Sequence, residues 1–211
     1  MMHPNAHMRT PIEIEDVLSA KRISDPLGVL DCCLISDAGG AIVVAHPDLA
    51  RDRPKPPGWL LGIGEHHTHE HLPAAPSLTG FGTVESGQRA YAMAGLGPRE
   101  VDFAELYDCF TIVPIIEAEE LGLCGRGEAG NLFAEGHAAF DGRLPINTHG
   151  GMLLHPHAGA AGGLFGIIEA VRQRRGECGA RQVKRHEVAL VHSEGGIMSS
   201  HCTLILGPQR A

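Results

Sequence analysis

Two apolar runs stand early in the chain, LGVLDCCLIS (27–36) and AIVVAH (41–46), separated by Asp37, Ala38, Gly39 and Gly40. Short continuous apolar runs bounded by turn residues predict buried strands, here paired as a hairpin. WLLGIGE (59–65) predicts a third strand and FAEL (103–106) a fourth. Between them, Ala90, Ala92, Met93 and Leu96 fit one apolar face, which predicts a helix from a cap at Thr83 or Ser86 to about Gly95. An apolar and then acidic run after Cys109 predicts a helix to Leu121, stopped by Gly122. A further helix is expected over about 160–175. EVALVHS (187–193) and SHCTLILG (200–207) then predict two closing strands around a Gly-Gly turn. IEIEDVLSAKRI, with Pro11 near its first turn, reads as a short helix.

The rest is punctuation. RDRPKPPG (51–58) is Pro-rich, and HHTHEHLPAAPSLTGFG, GRGEAGNLFAEGHAAFDGRLP and NTHGGMLLHPHAGAAGG read as loops. Strands that alternate with helices, ending in a pair able to run antiparallel, predict an α/β fold with layered helices around a mixed five-stranded sheet. Residues 1–25 read as an N-terminal extension or linker and 26–211 as the domain. With aromatics at 4%, the core must rest on aliphatic side chains.

A net charge of −8 argues against nucleic-acid binding through a basic surface. RQRRGECGARQVKR (172–185) is locally basic and reads as a solvated helix end and loop, or as a patch for an anion. The six cysteines lack CxxC spacing and follow no secretory signal, which points to reduced thiols and a cytoplasmic setting. No apolar run approaches a membrane span.

Three segments carry candidate chemistry. Tyr107, Asp108 and Cys109 stand where a strand turns into a helix, at the edge where α/β sheets bind ligands and where a helix N-terminus eases ionisation of a thiol. Asp108 as a cap and Cys109 as a small core residue is the plain alternative. HPHAGAAGG offers two histidines, apt as general acid or base, before small residues that open a helix. VHSEGGIMSSHC places His192 and Glu194 on a tight turn. A fourth segment, GEHHTHEH, puts His67, His69 and His71 on one face of an extended chain, a spacing suited to Zn²⁺, though adventitious metal, a pocket wall or an interface serves as well. GLCGRGEAG lacks the strand-then-helix frame of a dinucleotide site.

Together these motifs resemble the carboxy-terminal half of thiolase-superfamily enzymes. YDCF is similar to the HDCF loop of sterol-carrier-type thiolases, NTHGGMLLHPHAGAAGG to the family's Gly-Gly and Gly-His-Pro segment, and ALVHSEGGIMS to the loop that carries Cys-x-Gly-Gly-Gly. SDPLGVLDCCLISDAGGAIVV and GEHHTHEH resemble the lipid-transfer-protein branch, and the likeness runs from about residue 10 to 207.

The resemblance implies the C-terminal half of a thiolase-like fold, acting on acyl-CoA thioesters of lipid or steroid side-chain metabolism by retro-aldol or acyl-transfer chemistry. Coenzyme A would enter as part of the substrate, with no tightly bound cofactor and no metal. No segment resembles the loop of the nucleophilic cysteine, so the expectation is a half-thiolase, a split subunit or truncated product, completed by another chain. That partner would be an N-terminal thiolase half or an OB-fold-type protein, in a homodimer at least. A non-catalytic binding or scaffold subunit is the alternative.

By the same resemblance Tyr107, Cys109, His157 and His192 are the catalytic candidates. His155, Asn147, Gly150, Gly151, Gly195 and Gly196 are the substrate-binding ones. Counting from Gly151 puts the family's active-site histidine on His157, and a one-residue shift of the loop makes it His155. Tyr107 replaces the family's histidine, as in steroid side-chain aldolases, where tyrosines act as acid and base. In an aldolase Tyr107 would take the β-hydroxyl proton while His157 polarises the thioester. In a thiolase Cys109 and His157 would be acid/base and enolate stabiliser. His192 stands in place of the usual acid/base cysteine.

Overall fold

The computed structural model describes residues 3–51 and 53–209. One four-stranded mixed sheet organises them. It contains β3 (Trp59–His67), β4 (Phe103–Glu105), β5 (Ala189–Gly195) and β6 (Ser200–Gly207), in the order β3-β6-β5-β4. β4 and β5 run parallel, and the other pairs are antiparallel. A two-stranded ribbon, β1 (Arg22–Ser24) and β2 (Leu27–Gly28), follows α1 (Ile14–Ser19), and α2 (Pro47–Arg51) precedes the sheet.

Side-chain alternation divides the core in two. Ala104, Leu190 and Ile205 face α3 (Thr83–Ala94), where they pack with Ala90 and Ala94. Phe103, Ala189, Val191 and Leu206 face the other way, toward Ala170 of α7 (Gly162–Arg174) and Val183. The sheet is thus layered between helices, as expected. α3 ends where Gly95 turns left-handed (φ 57°) and its N–H bonds back to Ala92. The helix after Cys109 is α4 (Val113–Glu120). Two stretches expected as loops contain short helices, α5 (Ala129–Ala134) and α6 (Gly151–Leu154).

The five-strand expectation needs correcting. The fifth position is touched at one residue, where Ile146 forms an isolated parallel bridge with Ala104. Pro145 before it has no N–H to extend a ladder, and Asn147 after it is left-handed (φ 53°), so the backbone is extended for too short a stretch to make a strand. The hairpin expected over 27–46 is also absent. Leu27–Gly28 pair with β1, Val29–Asp31 form a 3₁₀ turn, and no strand includes residues 33–46. A strand needs a neighbour for its N–H and C=O groups. No described segment supplies one to Ala41–Ala45, and Val43 and Val44 are 91% exposed. Residues 32–36 instead run beside two loops, through Cys33 N–H to the Cys109 carbonyl (2.9 Å) and Ser36 N–H to the His157 carbonyl (3.2 Å).

α3 sits unusually close to β3. A Cβ on Gly62 would lie 2.1 Å from the Ala90 carbonyl oxygen, and one on Gly64 1.9 Å from that of Ser86. Gly64→Ala must push helix and sheet apart, and it is expected to cost about 1–3 kcal/mol. Thermal unfolding checks this: an unchanged midpoint would mean that α3 tolerates a shift of more than an ångström.

Candidate functional site

Three turns converge at one end of the sheet. The first leaves β4 through Tyr107, Asp108 and Cys109 toward α4. The second is 147–162, running through α6 into α7. The third joins β5 to β6. The Tyr107 Oη and His157 Nε2 are 3.0 Å apart, with the two rings edge-on. Beside them the Cys109 Sγ lies 3.7 Å from Glu194 Oε1. Gly162, at the start of α7, borders the pair: a Cβ there would touch the His157 ring (3.6 Å) and the Tyr107 ring (3.8 Å) at ordinary contact distance and crowd Met152 Sδ (3.0 Å).

The turns are fastened to one another. Asn147 Oδ1 accepts the Leu106 N–H (2.7 Å), and Asp108 Oδ1 accepts that of Met152 (2.6 Å). Gly150 (φ 103°) and Gly151 (φ 62°) are left-handed, and a Cβ on Gly151 would overlap the Asp108 carboxyl. Asn147, Gly150 and Gly151 therefore hold the second turn against the first. Beneath them lies a buried polar network. Glu105 accepts from Thr148 N–H and Oγ1 and pairs with His149 Nδ1 (2.7 Å), while Glu169 binds Arg181, Thr148 and Gln173. Burial works against a charge on His149, but Glu105 beside it holds its pKa above the ordinary value.

The two candidate histidines of the second turn separate. His157 meets Tyr107. His155 packs on His3, His149 and Phe165 instead, where burial and the neighbouring His149 bring its pKa down to about 4. His192 does not join the group at Cys109. Its side chain is inaccessible, its Nδ1 is 2.8 Å from Thr203 Oγ1, and burial with His201 lowers its pKa to about 3. Its Nε2 lies 3.7 Å from Glu117 Oε1, but burial also raises Glu117 well above the carboxylate range, so this contact is between neutral groups. The other Glu117 oxygen accepts the Tyr107 N–H (2.9 Å) and supports that turn from below. Gly195 and Gly196 (φ 61°) form the bend of the third turn.

The Tyr107 phenol and the Cys109 thiol of this cluster hold their protons. Burial pushes up the Tyr107 phenol, with Cys109 and Glu194 adding to it. Burial and then Glu194 push up the Cys109 thiol. Burial raises Asp108 to about 6 and Glu194 above the ordinary carboxylate value. Such an arrangement offers hydrogen-bond donors to a developing oxyanion. The sequence placed Glu194 beside His192 on the third turn but assigned it no catalytic or binding role. The signal was strand alternation: residues 192 and 194 share a face of β5, and only the one at the strand's end emerges beside Cys109.

The histidine-rich segment continues β3. His67 Nε2 is 3.0 Å from Glu65 on the exposed edge, and His69 Nδ1 is 2.7 Å from Thr68 Oγ1. Among the described residues, no group of three His, Cys, Asp or Glu is placed to hold a metal ion.

Comparison with known proteins bears on this geometry. The sequence model of a family described as "Thiolase C-terminal domain-like" matches residues 64–208. A steroid side-chain-cleaving aldolase of Thermomonospora curvata is 42% identical over 79% of this chain and 43% of its own length. A 17-hydroxy-3-oxo-4-pregnene-20-carboxyl-CoA lyase of Mycobacterium tuberculosis is 39% identical over 93% of this chain and 51% of its own. The solved structure of an Ltp2-ChsH2(DUF35) aldolase superposes with a TM-score of 0.85 at 35% identity, over 99% of this chain and 55% of that one. The chain spans about half the length of the curated relatives it matches.

Proposed function

From a chain that belongs to the thiolase C-terminal domain-like family, we propose an acyl-CoA-acting subunit that cleaves a β-hydroxyacyl-CoA by retro-aldol chemistry, its site completed by another chain. The observation that carries this reading is the 3.0 Å contact of Tyr107 Oη with His157 Nε2. A phenol held in its protonated form is a poor base alone. Paired with an imidazole nitrogen, it can take a proton from the substrate while passing its own to His157.

The step balances as follows. The β-hydroxyl proton goes to Tyr107 Oη, and the tyrosine proton goes to His157 Nε2. The Cα–Cβ bond breaks, leaving a carbonyl compound, and its electron pair enters the thioester enolate. Cys109 S–H returns a proton to Cα, which gives the shorter acyl-CoA, and exchange with solvent then takes the added proton from His157 and restores one to Cys109. Asp108, Asn147, Gly150 and Gly151 keep the turns in register during this exchange. His155, Gly195 and Gly196 are proposed to border the acyl-CoA. His192 is proposed to serve from inside the sheet, supporting the third turn without touching substrate.

Retro-aldol cleavage is favoured over acyl transfer because the relatives at 42% and 39% identity are named an aldolase and a CoA lyase. Coenzyme A enters with the substrate, and no tightly bound cofactor is invoked. The partners proposed are a second copy of this chain and a chain supplying an N-terminal thiolase half or an OB-fold-type protein. The exposed Ile35, Val43 and Val44 suit such an association. We place the domain boundary near residue 25, α1 before it burying no residue, although residues 3–8 pack on the second turn. A cytoplasmic setting accords with six free cysteines; no helix among the described residues is long and apolar enough to cross a membrane.

Incubation of the assembled protein with a β-hydroxyacyl-CoA should yield a shorter acyl-CoA and a carbonyl compound in equal amounts, read by mass spectrometry. Tight substrate binding with no turnover would replace this reading with that of a non-catalytic binding subunit.

A further inference from the structure

The third turn carries a carboxylate that neither the sequence resemblance nor the step above uses. Glu194, the last residue but one of β5, has its two oxygens in different company. Oε1 faces the Cys109 thiol at 3.7 Å, and Oε2 accepts the Met198 N–H. The backbone between is strained: Ile197 (φ 59°) and Met198 (φ 58°) are consecutive left-handed residues, one of them β-branched. Such a conformation costs of order 1 kcal/mol or more per residue and persists only where the surroundings impose it. Here the Glu194–Met198 bond closes the turn, aided by Ser199 N–H to the Gly195 carbonyl (3.1 Å) and by His201 Nε2 to the Met198 carbonyl (2.9 Å). The consequence of the strain is a carboxylate fixed against a thiol.

We infer that Glu194 is a positioning residue for Cys109: it accepts the thiol's hydrogen bond and keeps that sulfur protonated and aimed. The other titratable groups around the pair are Cys33, Glu117 and Tyr107. Cys33 is opposed to Cys109 across the backbone bond described above, Glu117 lies beneath, and Tyr107 joins from the β4 turn. A carboxylate next to a thiol favours the neutral thiol, the opposite of what a helix N-terminus does to an isolated cysteine. Cys109 is on this account an acid and not a nucleophile. The inference rests on the proposed reaction for its use: the thiol gives its proton to Cα, and a proton from solvent reaches the thiolate through Glu194.

The test needs no turnover. Glu194→Gln removes the charge and keeps an oxygen able to accept the Met198 N–H. Alkylation of Cys109 by iodoacetamide, followed at pH 8 by mass spectrometry of its peptide, reads the thiolate fraction. The expected result is a rise of about tenfold in the Cys109 rate, equivalent to a thiol pKa lower by about one unit, with Cys202 labelling unchanged. Equal Cys109 rates in the two proteins overturn the inference. If the glutamine variant does not fold, the unmodified protein decides: a Cys109 labelling midpoint above that of free cysteine is expected, and one at or below it overturns the inference as well. If labelling responds as expected while neither protein turns over a β-hydroxyacyl-CoA, the Glu194–Cys109 pairing stands and the proposed reaction falls.

Discussion

Tyr107→Phe is expected to lower kcat for acyl-CoA cleavage by about 10²–10³-fold, roughly 3–4 kcal/mol of transition-state stabilisation, while KM moves little. The substitution keeps the ring that packs beside Gly162 and removes only the hydroxyl that meets His157. Folding stability should change by no more than about 1 kcal/mol, because the lost hydrogen bond sits at a partly exposed site. The split between kcat and KM is the informative quantity. A proton passed through the phenol is worth nothing to substrate binding and much to bond cleavage, so both kcat and kcat/KM should fall together. A rise in KM at constant kcat would move Tyr107 from the chemistry to the wall of the pocket. The pH profile gives a second check. Burial and the nearby Cys109 and Glu194 hold the phenol above its ordinary value, and burial with Glu194 does the same for the Cys109 thiol. Both donors are lost only as pH rises through those raised values. No alkaline fall in kcat from either group is expected below about pH 10, the unperturbed phenol value.

What could be read from the sequence followed the range of the interactions involved. β3, α3, α4, α7, β5 and β6 all lie where apolar periodicity and Gly stops put them, because each is settled by its own face toward the core it packs on. The run at 41–46 has a strand's composition, but a strand is a relation between two segments, and no described segment pairs with it. Ile146 fails as a strand for a local reason, between Pro145 and the left-handed Asn147. The choice between His155 and His157 was open to residue counting because a loop can slip by a residue; in the structure His157 meets Tyr107 while His155 packs against His149. Motif alignment drew attention to His192, whereas the side chain that reaches Cys109 belongs to Glu194, two residues farther along the same strand face. The basic run 172–185 reads as a solvated helix end or as a patch for an anion or acidic partner, yet Arg181 within it is 4% exposed and paired with Glu169. Spacing along a chain cannot show that a distant acid waits for one arginine out of five.

That pair sets the largest expected effect on stability. Arg181→Met should cost about 3–5 kcal/mol, since it strands a carboxylate in the interior. Glu169 is 3% exposed, and its Oε1 also accepts from Gln173 Nε2 (3.1 Å) and stands 2.9 Å from Thr148 Oγ1, whose one proton serves Glu105. Burial alone would raise the Glu169 pKa, but its bond to Arg181 outweighs this and holds the carboxyl below the ordinary value. A group lowered on folding contributes stability above its unfolded pKa, about 4.3, and loses that contribution as pH falls through the folded value. Without Arg181 the sign reverses: burial raises the carboxyl, which folds more favourably once protonated. The difference in unfolding free energy between the two proteins should therefore be widest near pH 7–8 and shrink toward pH 5, measured by urea denaturation at each pH. Glu169→Leu added to Arg181→Met should recover part of the loss, because an apolar pair leaves no charge unpaired. A gap that stays constant with pH would assign the cost to the packing of the arginine stem.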